Sequence, residues 1–370
     1  MSPIFNPTDE QYWGDYDGLQ FVKHQLLTKY LGGWFPISCS YSGRVLYVDC
    51  NAGRGRHKTG QEGSPILALH TLLNHCQKVR IAQKTQVSFI FFENDPVNYE
   101  YLSSEIQSIG ELPRFIDVKT YKSEYESHLM RVIKEFQNRG DQNSPAFVFV
   151  DPYGFTISMD LLNQLLSFRK CELFINFMYR YVDMVVHNLP QANNLDTLFD
   201  TPNWRTLTEI NNPEKRSKET IKLFSKQLKA NYVTHMFMLG KNNVLKYVLF
   251  HATNHKRGRE LFKEAMWSVI PDGVFKVSER QHPDQLVLIQ PEPDLRPLKD
   301  DIWNTFRGRR LDVNDIYDWL VNEPYLRKHI NLILTDYRKR KVVTFNGGYE
   351  LIAYKYNPII GFPSERPKNS

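Results

Sequence analysis

The sequence predicts a doubly wound α/β domain followed by a smaller, mostly helical module. Three observations predict it. Short runs rich in Val, Ile and Phe recur between residues 45 and 290 and are apolar at nearly every position. Such runs mark strands buried on both faces of a mostly parallel sheet. Amphipathic helical stretches separate them, which is the alternation of an α/β sheet covered on both sides. After Pro291-Glu292-Pro293 the pattern changes to helices and a hairpin.

Seven strands are expected, at 45–49, 87–93, 116–121, 146–151, 172–178, 247–252 and 285–290. A helix containing FVKHQLLTKYL precedes the first. Helices are expected at 65–74, with Ser64 as N-cap and Pro65 at the first helical position, and at 96–109, 124–136, 158–166 and 259–270. Two insertions interrupt the order. Residues 56–86 place a loop and a helix between the first two strands, and residues 179–234 form a longer polar stretch with a helical pattern. The second insertion is either a lid over a substrate or a structural elaboration. The domains are therefore 1–295, with the insert 179–234, and 296–370. In the second, helices at 312–320 and 325–341 lead into VVTFNGGYELIAY, where Asn346-Gly347 reads as a hairpin turn. Helix, basic helix and hairpin form a winged-helix-like layout, which serves either nucleic-acid or protein docking.

With 370 residues the chain is long enough for one large core and a smaller one. Its formal charge of +6, from 47 basic and 41 acidic residues, permits a nucleic-acid partner without requiring one. The four cysteines are scattered and form no C-x-x-C pair, so neither a zinc site nor a disulfide framework is indicated. There is no apolar signal region and no run of about 18 apolar residues. A soluble cytoplasmic setting with no membrane partner and no metal is expected.

The stretch VLYVDCNAGRG at 45–55 carries the chemistry. A buried strand that ends in Asp49 and runs into Asn51, Ala52, Gly53 and Gly55 suits a nucleoside cofactor held beyond the strand's carboxyl end. The spacing D-x-x-A-G-x-G fits S-adenosylmethionine better than a dinucleotide, whose loop would want a further glycine near Lys58. Glu93 ends the second strand and is expected to accept hydrogen bonds from the ribose hydroxyls. Asp95 competes for that role but also reads as an N-cap before Pro96. The fourth strand ends in Asp151-Pro152-Tyr153-Gly154-Phe155, similar to the D-P-P-Y of amino-group methyltransferases. There the acidic side chain and a backbone carbonyl accept hydrogen bonds from a target NH2 while an aromatic ring stacks on the base. Tyr153 replaces the second proline, so either Tyr153 or Phe155 is the stacking candidate. Lys23, in the first helix, either binds the cofactor's carboxylate, shapes the substrate pocket or is simply solvated.

Taken together, K-H-x-x-L (23–27), Y-L-x-x-W (30–34), D-x-x-A-G-R-G (49–55), G-S-P (63–65), F-x-E-x-D-P (91–96), V-D-P-Y-G-F (150–155) and I-N-F-M (175–178) resemble the three-Cys-motif partner family of bacteria and their mobile elements. The resemblance spans most of the chain. It implies a Rossmann-like methyltransferase sheet of seven strands whose last is antiparallel, and a radical-SAM-like protein carrying three cysteines as partner. Similarity to adenine-N6 methyltransferases of ribosomal RNA covers only Lys23-His24, the glycine loop and Asp151-Pro152. Three functions follow as expectations. The first is a methyltransferase acting on an amino group of RNA or DNA. The second is a non-catalytic accessory subunit. The third is a nuclease built on Asp49, Glu93 and Asp151.

Overall fold

The computed structural model describes residues 13, 16–138, 144–152, 154, 157–188, 190, 192–279, 292–346 and 357–365. They fall into two compact units, Met1–Phe262 with Phe275–Leu286, and Lys263–Val274 with Val287–Ser370.

In the first unit, helix α1 (Gly18–Tyr41) leads into strand β1 (Arg44–Asp49). Helices α2 (Ser64–Leu73) and α3 (Lys78–Ala82), strand β2 (Gln86–Phe92), helix α4 (Pro96–Ser108) and strand β3 (Ile116–Tyr121) follow. Then come α5 (Leu129–Asn138), β4 (Ala146–Val150), α6 (Met159–Leu166) and β5 (Cys171–Phe177). The last part holds β6 (Tyr232–Leu239), β7 (Leu245–Thr253), the first residues of α10 (Lys256–Val269) and β8 (Lys276–Ser278). One eight-stranded sheet results, in the order β3-β2-β1-β4-β5-β7-β6-β8. Strands β1 to β5 are parallel, β7 runs antiparallel to both β5 and β6, and β8 is parallel to β6. This is the Rossmann-like methyltransferase sheet, with β8 as an extra edge strand, so the expected count of seven is corrected to eight. The order reverses at β1, between β2 and β4, and opens a crevice beyond their carboxyl ends.

Strands β1, β4 and β5 are buried at almost every position, as continuous apolar runs require. Strand β6 was not expected. Only Met236 and Met238 of its eight residues are fully buried, so its sequence, YVTHMFML, shows no unbroken apolar run. Its first residues end the expected insert. The expected strand at 285–290 lies outside the described residues.

The insert itself forms α7 (Tyr179–Val185), α8 (Ala192–Phe199), a 3-10 turn (Pro202–Glu209) and α9 (Pro213–Gln227). Leu198, Phe199, Trp204 and Phe224 belong to the same core as Phe177 and Phe250 of the sheet. The Phe177 and Phe224 rings lie 4.4 Å apart. Truncating a phenylalanine so placed costs about 3–5 kcal/mol, so this segment is part of the fold's support.

Two helix starts differ from the sequence reading. Gly63, not Ser64, is the N-cap of α2, and Ser64 is its first helical residue. Helix α5 begins at Leu129 rather than Glu124, because a turn with Tyr125 accepting from the His128 and Leu129 amides precedes it.

The second unit contains α11 (Arg296–Phe306), β9 (Arg310–Asp312), α12 (Val313–Leu320), α13 (Arg327–Lys339), β10 (Thr344–Asn346) and β11 (Ile359–Gly361). The strands form an antiparallel sheet in the order β10-β11-β9. Trp303, Ile316, Ile333 and Tyr337 form its core. Within this unit the buried Lys263 ammonium donates to the carbonyls of Leu320, Glu323 and Tyr325 at 2.8, 2.8 and 3.0 Å, closing the end of α12. Asn346 pairs with Ile359 inside the ladder. It is therefore a strand residue and not the corner of a two-residue Asn-Gly turn; Gly347 lies outside the described residues.

Candidate functional site

The apolar run of β1 carries Asp49 to the crevice fully buried. Its Oδ1 accepts the Asn51 amide at 3.2 Å, and its Oδ2 has no hydrogen-bond partner among the described residues. Burial pushes the Asp49 carboxyl up to about 7, against the pull of Ser64, Asn51 and Lys23. The chain then turns through Gly53 (φ +65) and Gly55 (φ +79), left-handed positions that suit glycine.

Glu93, at the end of β2, is bound into this loop. Its Oε2 accepts the Gly53 amide and its Oε1 the Asp95 amide, each at 2.8 Å. Burial raises its pKa. The Asn98 side chain is a third donor to this carboxylate, which leaves capacity for one further donor. Asp95 caps α4 by accepting the Asn98 amide at 2.8 Å, so its first role is structural. The Ala52 amide donates to Phe92 O at 2.9 Å, which fixes the loop to β2.

A cleft of about 520 Å³ opens here, lined among others by Asn51, Glu93, Ser123, Tyr125 and Pro152. The size falls in the range that holds small molecules and cofactors. Asn51 Oδ1 and Ser123 Oγ are buried at this wall without partners among the described residues. The sequence reading missed Ser123–Tyr125 because it placed them at or in a helix; the late start of α5 turns them into cleft wall.

At the end of β4, Asp151 is held from two sides. Lys23 Nζ donates to Oδ2 at 2.5 Å and Asn176 Nδ2 to Oδ1 at 2.6 Å. Val150 pairs with Ile175 across the β4–β5 ladder, and this register brings Asn176 beside Asp151. Lys23, on α1, is 4% exposed, while the Asp151 side chain is 19% exposed and reachable from outside. A solvated Lys23 is therefore corrected to a buried ion-pair partner. Asn176 was not singled out as a site residue, although a lone amide in the run CELFINF was a signal that something polar is met there. Tyr153 and Phe155 lie outside the described residues.

Trp13 roofs the glycine loop. A Cβ on Gly53 would stand 2.5 Å from Trp13 Cη2, so the close approach glycine permits there is to this indole. A Cβ on Gly55 would meet Leu102 and Glu105 of α4 at 3.3 Å, so Gly55 serves helix packing rather than facing the cleft. Arg54 sits over the Trp13 and Tyr101 rings, 5.3 and 4.9 Å from their centroids. Tyr16, His24 and His57 complete the cluster, with Tyr16 Oη 2.9 Å from His24 Nδ1. Burial, reinforced by Lys23, lowers both histidines, His57 to about 4.

Asn51, Glu93 and Pro152 thus share one cleft, and Lys23, Asp49 and Asp151 are close enough to feel one another's charge. Among the described residues, no group of three or more His, Cys, Asp or Glu side chains converges to hold a metal ion. No helix among them is long and apolar enough to cross a membrane.

No family model matches the chain, and no curated protein is significantly similar to it in sequence. Similar solved structures include protein LPL1258 from Legionella pneumophila, at 14% identity over 64% of this chain and 85% of that one, TM-score 0.37. Trm1 from Pyrococcus horikoshii, solved with S-adenosyl-L-methionine, is 11% identical over 67% of this chain and 59% of its own length, TM-score 0.36. A human methyltransferase 10 domain containing protein is 13% identical over 62% and 82%, TM-score 0.31. These likenesses are distant, and the fold assignment rests on the strand order and directions given above.

Proposed function

We propose that this chain binds S-adenosylmethionine and methylates an amino group of a nucleic-acid base. The observation that carries the reading is the Lys23–Asp151–Asn176 arrangement at the end of β4, beside a cleft where Asn51 Oδ1 and Ser123 Oγ are buried without a partner among the described residues. The cofactor fits those acceptors chemically. It brings an ammonium group, two ribose hydroxyls and an adenine amine, all donors. Asp49 Oδ2 would take the ammonium, Glu93 and Asn51 the ribose, and Ser123 the adenine edge. The bound cofactor would supply an electrophilic methyl group on a sulfonium.

The chain's own part is positioning. Lys23 and Asn176 each occupy one oxygen of Asp151 and fix its orientation. The remaining lone pairs can accept N–H bonds from a target amine and aim its nitrogen lone pair. With Lys23 on one oxygen and Asn176 on the other, the role of Asp151 in this reading is to orient the amine. The second unit, with its order helix, strand, helix, helix, strand, strand, is assigned to the winged-helix class as the module that docks the substrate. The family reading adds a three-Cys-motif protein as partner.

Calorimetric titration with S-adenosylmethionine and S-adenosylhomocysteine tests the cofactor, and labelled methyl transfer to total RNA and DNA, with and without the partner, tests the reaction. Binding of neither compound would overturn the cofactor assignment. Binding without transfer under any condition would favour an accessory subunit.

A further inference from the structure

Two basic runs, remote in sequence, enter the small sheet of the second unit at the same end. Arg307, Arg309 and Arg310 lead into β9, and Arg338–Lys341 lead into β10. Both strands flank β11 and run antiparallel to it, so their first residues stand in one row. Arg310 and Thr344 pair with the same residue, Gly361. The row is tight: a Cβ on Gly361 would lie 2.5 Å from Thr344 Oγ1 and 3.6 Å from Arg310 Cγ.

Arg307, Arg309, Arg310, Lys339 and Lys341 are all exposed. Nearby acids do not neutralise them. Asp336 pairs with Lys299 and Arg340, Asp294 pairs with Arg296, and Asp312 accepts the amides that cap α12. Glu365, which follows β11 at this end, forms no ion pair with any of the five among the described residues.

Helix dipoles do not account for the cluster. The carboxyl ends of α11 and α13 together carry about one unit of negative charge, against five cations with no ion-pair partner among the described residues, and Arg310 lies in a strand. Lys341 adds an independent sign. It closes α13 with φ +59, a left-handed position that glycine fills with less strain. A lysine kept where glycine would fit better points to a use for its charge.

We infer that this sheet end grips the phosphate backbone of a nucleic acid. Cations gathered at the entry to two strands of one small sheet are relieved by a polyanion, and three of the five are arginines, whose forked guanidinium matches phosphate oxygens. The inference deepens the proposed function by placing the backbone contact, and it depends on that reading for the class of partner.

The test uses the full chain without methyl donor. Anisotropy titrations with labelled duplex DNA, duplex RNA and their single strands give affinity against salt. The variants are Arg309→Gln/Arg310→Gln and Lys339→Gln/Lys341→Gly. Each pair should flatten the log–log salt slope by about 1.8 on duplex DNA and about 1.4 on single strands. Lys341→Gly alone should weaken binding while melting no lower than wild type, an outcome a merely structural lysine would not give. Unchanged slopes in both pairs overturn the inference. Equal or tighter binding to phosphatidylserine–phosphatidylcholine vesicles also overturns it, in favour of a membrane surface. If one pair fails to fold, the other and Lys341→Gly decide. Nucleic-acid binding with the expected slopes but no methyl transfer sinks the methyltransferase reading and leaves this one standing; methyl transfer with unchanged slopes does the reverse.

Discussion

Removing Asp151 should destabilise the protein more than removing Lys23, and the size of the effect can be bounded. The two side chains are 2.5 Å apart, with Lys23 4% exposed and Asp151 19%. Asp151→Ala takes away the carboxylate against which a nearly dry ammonium packs, leaving it the weaker pull of Asp17 and Asp49. Breaking one side of a buried pair costs about 3–5 kcal/mol. Lysine itself sets a ceiling. Giving up its proton at pH 7 from an ordinary pKa of about 10.4 costs about 4.6 kcal/mol, so stranding it charged cannot cost more. Water entering from the exposed Asp151 side places the expected loss near about 3 kcal/mol. Lys23→Met leaves a carboxylate that still accepts from Asn176 at 2.6 Å and touches solvent, so about 1–2 kcal/mol is expected. Asp151→Asn should resemble Lys23→Met, because Asn176 can turn its unpartnered Oδ1 toward the new amide. Urea unfolding at pH 7 measures all three. Adding Lys23→Met to Asp151→Ala should restore part of the loss. A double variant as unstable as the sum of the singles would refute the buried-pair account. Asp151→Asn is accordingly the better variant for activity, since it separates lost transfer from lost fold.

Three further outcomes are expected. Asp49 has its folded pKa raised to about 7, so its contribution is present below about pH 3.8 and is lost as pH rises through 7; Asp49→Asn should raise the melting temperature increasingly from pH 4 to 7 and level off above, and a pH-independent offset would contradict this. His57 and His329 are both lowered to about 4 by burial, so the unfolded chain takes up protons first; stability is full above about pH 6.5 and lost as pH falls toward 4, and His57→Gln or His329→Gln should flatten that acid limb, which an unaltered limb would disprove. Gly53→Ala should cost about 1–2 kcal/mol for its left-handed backbone plus the collision with Trp13, and should cost less in a Trp13→Ala background; equal costs in both would show that the indole is not what glycine accommodates.

How much the sequence disclosed follows from how each residue is buried. Strands β1, β4 and β5 are covered on both faces, so their apolar runs are unbroken and their ends, Asp49 and Asp151, stand out as polar punctuation. The same logic hid β6, where burial alternates and Thr234 and His235 break the run. The Glu93 position was legible, but its two backbone partners were not, because they depend on where the glycine loop folds back. Glu124 and Tyr125 were hidden by a helical pattern that starts before the helix does. Asn176 and Lys23 meet Asp151 only through strand register and the path of α1, neither of which a linear pattern encodes.

That path is fixed at both ends of the sheet. Tyr30 Oη and Trp34 Nε1 donate to Glu172 at 2.6 and 3.0 Å, and His251 lies 3.2 Å from the same carboxylate. Glu172 pairs in register with Phe147, so Asp151 lies about 13 Å farther along β4 at 3.3 Å per residue. Tyr30 and Trp34 lie about 10 and 16 Å along α1 from Lys23 at 1.5 Å per residue. The helix therefore spans the strand with a buried polar station at each end, one on Glu172 and one on Asp151. Between them Leu26, Leu27 and Leu31 are buried and hold its register. The lower station keeps Glu172 below the usual carboxylate range despite its burial, through His251, Tyr30 and Thr253. Glu172→Gln should thus cost stability without altering the upper station. Contacts this far apart on a well-packed helix add within about 0.5 kcal/mol. The double variant Glu172→Gln/Asp151→Asn should lose the sum of the two single losses in urea unfolding. A clear departure from that sum would mean that α1 shifts as a body and that Lys23 owes its position to Glu172.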